Sequence, residues 1–196
     1  MRAAGHATRE RILAAATAEF ARHGVAGARI NRIAADAQAS KDRLYAYFPG
    51  KQVLFEEVVR RWVAEIDERT ALRGEDVPGY VGRLFDHYLE HPQSARLQAW
   101  IDLDEPERLG ADDLRLTALR PKIDEIRRGQ AEGHVDPSWH PADLLIVLLG
   151  IARSMALSAL AIGKLDGGAR NRDAAGIRRA AVVAAQRVAE PSSTGC

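Results

Sequence analysis

The stretch "ARINRIAADAQASKDRLYAYF", residues 28–48, decides the fold. Its apolar positions recur at helical rather than strand spacing. Ile30, Ile33 and Ala34 share one face of a short helix over Ile30–Ala37. Leu44 and Phe48, four apart, share one face of a second over Ser40–Phe48. Ala34 and Ala37 are small enough to bring the two helix axes close. Ser40 can cap the second helix by accepting from a free N–H, and Asp42 suits the positive end of its dipole. Packing Leu44 and Phe48 inward leaves Lys41, Asp42, Arg43, Tyr45 and Tyr47 outside. An exposed first turn with two cations, then two hydroxyl-bearing rings, fits a major groove and its flanking phosphates.

Outward from this stretch the pattern stays helical. Thr8–His23 reads as a helix opened by a capping Thr8, with Ile12, Leu13, Ala16, Phe20 and Ala21 on one face and Gly24 as its stop. Pro49-Gly50 breaks the chain. From Lys51 to about Thr70, Leu54, Phe55, Val58, Val59, Trp62, Val63 and Ile66 form a stripe. Further helices fit Pro78–His91, Gln93–Leu103, Leu109–Arg128, Ala142–Ile162 and Ala174–Ala189. No strand pattern is evident. The expectation is an all-α chain of about nine helices. A three-helix head would occupy residues 1–50, a connecting helix 51–70 and a helical body 71–196.

Here a family resemblance becomes specific. Residues 8–66 resemble the DNA-binding head of tetracycline-repressor-like (TetR) bacterial regulators. Such heads have a first helix ending in phenylalanine and, shortly after, glycine, here "FARHG"; then Ile-Ala, here Ile33-Ala34. Next comes Ala-Gly-Val-Ser, then Lys-x-x-Leu-Tyr-x-His-Phe and a further lysine. This chain reads Ala37-Gln38-Ala39-Ser40, Lys41-Asp42-Arg43-Leu44-Tyr45-Ala46-Tyr47-Phe48, then Lys51. It departs at Gln38, where a turn glycine is usual, at Asp42, usually a small residue, and at Tyr47, usually histidine.

The resemblance implies a homodimeric regulator, a repressor, on a palindromic double-stranded DNA operator, released by a small hydrophobic effector. It implies that Arg29 and Asn31 touch phosphate or a base. Lys41, Asp42 and Arg43 would read bases. Ser40, Tyr45, Tyr47 and Lys51 would hold phosphates. Helices Ala142–Ile162 and Ala174–Ala189 would form the dimer face. The effector pocket would be lined by Trp62, Phe85, Tyr88, Trp100, Leu119, Ile123, Arg153 and Met155. No cofactor, metal or catalytic residue is implied.

Composition agrees with a soluble chain of 196 residues, 46% hydrophobic and 28% charged. The net charge of +1 hides an asymmetry: residues 1–60 hold ten Lys/Arg against six Asp/Glu, a basic first third suited to an anionic partner. The single cysteine, Cys196, allows no intrachain disulfide and fits a cytoplasmic setting. Leu144–Ile162 is long enough to span a bilayer. Arg153 at its middle would cost roughly 2.5–3.5 kcal/mol there, so a buried helix and no membrane partner is the reading. "HYLEH", His87–His91, fits the inverted zinc-hydrolase pattern His-x-x-Glu-His. A zinc-dependent hydrolase built on His87, Glu90 and His91 is therefore the alternative. Pro92 immediately after it and the lack of a third ligand weigh against that alternative. A helical partner-binding module without DNA is a third reading.

Overall fold

The computed structural model describes residues 2–103, 114–165 and 173–191. Among them the chain forms nine α-helices, one 3-10 turn and no strand. The helices are α1 (Arg2–Gly27), α2 (Ile30–Asp36), α3 (Lys41–Tyr47), α4 (Lys51–Arg69), α5 (Val77–Glu90), α6 (Pro92–Leu103), α7 (Leu114–Ala131), α8 (Pro141–Leu165) and α9 (Ala174–Ala189). The all-α expectation holds. Of the helix expected over Leu109–Arg128, residues 109–113 lie outside the described residues.

One boundary needs correcting. α1 starts at Arg2 rather than Thr8, so Thr8 is a buried residue inside a helix and not its cap. Ala3 and Ala4 have high helix propensity and extend it. At its other end Gly24 takes a left-handed φ of 65°, which bends α1 before a last turn to Gly27.

The chain divides into two compact units. One joins Met1–Ala64 to Gln93–Gly110, the other Glu65–Pro92 to Ala111–Cys196. This differs from the expected boundaries at 50 and 70: α4 is shared, and α6 groups with the head.

In the first unit, Ile12, Leu13, Ala16 and Phe20 of α1 are buried with Ile33, Leu44, Phe48, Leu54, Phe55 and Val58. Phe20 meets Phe55 edge-on at 5.2 Å between centroids, a geometry worth about 0.5–1.5 kcal/mol beyond its burial. α6 is fastened to α1 by Trp100. Its Nε1 donates to the Ala21 carbonyl at 3.2 Å, and its ring lies against Gly24. A side chain on Gly24 would come within 2.9 Å of that ring.

In the second unit α5 is the central rod, buried on most sides, with α8 and α9 packed on it. Arg178 of α9 donates from Nε to both carboxylate oxygens of Asp86 on α5 at 2.8 Å. The 3-10 turn crosses α7 where Gly74 and Gly129 bring their backbones together. α8 is long and apolar enough to cross a membrane. Leu144, Leu145, Leu148, Ala152, Ala156 and Ala159 form its buried stripe, while Ile146 and Leu157 stay exposed.

Candidate nucleic-acid interface

The turn between α2 and α3 closes as a hydrogen-bonded helix end. The Ala39 N–H donates to the Ala34 carbonyl at 2.9 Å, and the Gln38 N–H to Ala35 at 3.0 Å. This pattern needs a left-handed residue between, usually glycine. Gln38 occupies it with φ 51°. A left-handed non-glycine costs about 1–2 kcal/mol, against about 0.4–1 kcal/mol of extra unfolded-state entropy for glycine. Gln38→Gly is therefore expected to stabilise the head by about 0.5 kcal/mol, read by urea denaturation. A lower midpoint would show that the Gln38 side chain contributes more than its backbone costs.

Ser40 caps α3: its Oγ accepts from the Arg43 N–H at 3.2 Å. Leu44 and Phe48 face the core, 0% and 3% exposed. The helical period then turns Lys41, Asp42, Arg43 and Tyr45 outward, all exposed, with Tyr45 at 46%. Arg29 and Asn31 are likewise exposed at the start of α2. Seven of the nine residues expected to touch DNA thus stand on the solvent side of α2 and α3.

The other two are partly engaged. The Tyr47 hydroxyl, expected on a phosphate, donates to the Gly5 carbonyl at 2.9 Å and ties α3 to the first turns of α1. Lys51 Nζ sits 3.4 Å from the Ala26 and Ala28 carbonyls, over the loop between α1 and α2. Arg9 of α1 stacks over the Phe48 ring at 5.4 Å and pairs with Glu57 of α4 at 2.6 Å.

One positioning residue lies outside the expected set. Glu19 of α1 is buried, and its Oε1 accepts from the Arg29 N–H at 2.9 Å and from Arg32 Nε at 2.8 Å. One carboxylate thereby fixes the start of α2. Burial by itself would raise its pKa, but the bonds from Arg32 and Arg29 outweigh this and hold the carboxyl below its ordinary value. The available signal was an acid at the i+3 position from Ala16, beside Phe20, on an otherwise apolar face.

The expected pocket residues are divided between the two units. Trp62 belongs to the first unit, and Trp100, 40% exposed, is spent on α1 in that unit. Phe85 and Tyr88 are buried on α5. Leu119 and Ile123 on α7, and Met155 and Arg153 on α8, are half-buried in the second unit. Arg153 is not free of partners.

The histidine motif is not arranged as a metal centre. His87 is buried and its ring lies 5.0 Å from that of His91, but His91 has left the helix and Glu90 is exposed. Among the described residues no group of three or more His, Cys, Asp or Glu is placed to hold a metal.

Two short helices around a tight turn, one capped and outward-facing with cations on its first turn, define a helix-turn-helix DNA-binding regulator. Residues 12–58 match the family described as bacterial regulatory proteins, tetR family, and residues 76–187 match the tetracyclin repressor-like C-terminal domain. The chain belongs to the tetR family, whose members are transcriptional regulators and not enzymes. It is 37% identical over 151 residues to the HTH-type transcriptional repressor SCO4008 of Streptomyces coelicolor, spanning 74% of this chain and 77% of that one. The structure is similar to that of the transcriptional regulator SCO4942 from Streptomyces coelicolor, with 38% identity, TM-score 0.79, and 94% and 99% of the two chains covered. It also resembles a TetR family regulator from Marinobacter aquaeolei at TM-score 0.77, covering 98% and 100%; at 19% identity this likeness is of fold alone. The zinc-hydrolase alternative finds no support in these relatives.

Proposed function

We propose that this chain is a homodimeric, cytoplasmic repressor that binds a palindromic operator and is released from it by a small apolar effector. The observation that carries the reading is the outward face of α3, with Lys41, Asp42, Arg43 and Tyr45 exposed over a buried Leu44. Lys41, Asp42 and Arg43 read base edges. Arg29, Asn31, Ser40, Tyr45 and Lys51 hold phosphates or flanking groups, and Tyr47 acts by holding α1 beside α3. A second copy is supported by apolar side chains left on the surface of α8 and α9: Ile146, Leu157 and Val183 are exposed. Paired α8–α9 faces would cover them and set two recognition helices roughly 34–36 Å apart, one turn of DNA. The repressor relative supports the direction of control. Effector release requires only that the ligand favour the DNA-incompetent state, by typically 1–3 kcal/mol.

Fluorescence anisotropy on DNA flanking the chain's own gene tests the docking. Arg43→Ala is expected to lower discrimination at one base pair about tenfold. Lys51→Ala weakens all sequences alike and reduces the salt slope by about one ion. Full sequence-specific binding by both variants overturns the docking.

A further inference from the structure

α5 carries two buried polar side chains that nothing among the described residues satisfies. Tyr80 is 0% exposed and His87 4%. The Tyr80 hydroxyl and both ring nitrogens of His87 have no hydrogen-bond partner there. Buried polar groups are normally paired, because an orphan forfeits its hydration without compensation. Two orphans on one helix point to a partner that arrives from outside.

They are placed to share one. Seven residues apart, Tyr80 and His87 lie on the same face of α5, about 10 Å apart along its axis. Leu84 is buried between them, with Val81 and Phe85 beside it. Most of the charged groups near them are occupied, and Glu90, which also acts on His87, faces solvent. Asp67 of α4, near Tyr80, accepts from Lys122 of α7. Arg83 pairs with Asp76 at 2.7 Å. Glu65 and Arg69 of α4, near His87, pair with each other at 3.5 Å. Burial, above all, raises the Tyr80 pKa and keeps the phenol protonated. Burial and then His91 lower that of His87, which favours a neutral imidazole. The pair therefore offers a hydroxyl at one end, an N–H and a lone pair at the other, and no charge.

We infer that Tyr80 and His87 are the polar contacts of the effector site, and that its ligand is a neutral, mainly apolar molecule carrying a hydroxyl or carbonyl oxygen towards each end. The inference rests on the effector-controlled reading above and adds the chemistry of the ligand. An ionic ligand would bring its charge to a pair that has none to answer it. A neutral ligand would supply the hydrogen bonds that no protein group among the described residues gives this pair.

The test uses the full chain, with 4,4′-dihydroxybiphenyl as the neutral probe and biphenyl-4,4′-dicarboxylate as its charged counterpart. Calorimetric titration is expected to show binding of the diphenol and not of the dicarboxylate. Tyr80→Phe and His87→Leu should each weaken the diphenol about tenfold. Without probe, both variants should melt at or above the wild-type temperature, since each deletes an orphan. Tyr80→Phe, which removes a single oxygen, decides the matter should His87→Leu fold poorly. No binding of the diphenol, equal binding by Tyr80→Phe, or a lower melting temperature for Tyr80→Phe overturns the inference; the last would mean that water or protein already satisfies the hydroxyl. DNA retention by the unliganded proteins is scored separately. A wild type that binds DNA but fails these measurements keeps the regulator reading and loses the site. One that retains no DNA loses that reading, while melting and titration still judge the site.

Discussion

Leu44→Ala is expected to cost the head about 3 kcal/mol and to abolish DNA binding at temperatures where the wild type still binds. Leu44 is fully buried in the first unit, and truncating such a leucine typically costs 2–5 kcal/mol through lost burial and the void left behind. α3 has only seven residues. A helix that short is not stable alone and is held by tertiary packing. Leu44 supplies that packing with Phe48, so the loss falls on the element proposed to enter DNA. The control is Tyr45→Ala at an exposed neighbour, expected to alter stability by less than about 0.5 kcal/mol while weakening DNA binding. Chemical denaturation of both variants, beside anisotropy on the same operator, separates the effects. Equal stability of the two would mean that Leu44 does not seat α3.

Glu19→Ala is expected to cost about 2–3 kcal/mol, since it removes an acceptor shared by charged and backbone donors. The Arg32 side chain is 39% exposed and regains water once freed, which limits the penalty. Losing Glu19 also unties the Arg29 N–H from α1, so DNA affinity should fall although Glu19 itself faces inward. The pH dependence has a definite sign. The folded carboxyl sits below its ordinary value of 4.5. Its stabilisation is therefore complete above the unfolded pKa and is lost as pH falls through the folded one. The wild type should accordingly lose stability below about pH 4.5 more steeply than Glu19→Gln. Parallel acid unfolding curves for the two proteins would remove Glu19 from this role.

What could be read directly from the chain was what depends on near neighbours. Leu44 and Phe48 at a spacing of four and Ser40 before them are local signals, and each has its expected place, while Gly24 after "FARH" bends α1 before a last turn rather than stopping it. Gln38 shows the same: a turn that wants a left-handed residue takes one even with a side chain attached. What could not be read depends on contacts across long sequence separations. Nothing around Trp100 says that its indole will reach Ala21, 79 positions away. Tyr80 carries no mark of an unsatisfied hydroxyl, because a tyrosine on an apolar face looks like core. The same holds for Glu19, whose pairing with the start of α2 exists only after α1 and α2 have packed.

The grouping of α6 with the head bears on how such regulators can be recombined. Because Trp100 covers the bend at Gly24 from a stretch far along the chain, the recognition unit is not a contiguous cassette. A chimera that grafts residues 1–50 onto a foreign body would carry the residues proposed to read the groove but leave the α1 bend without its indole cover. Transplants meant to redirect an operator should therefore keep the recipient's own first helix and exchange only residues on the outer face of α3.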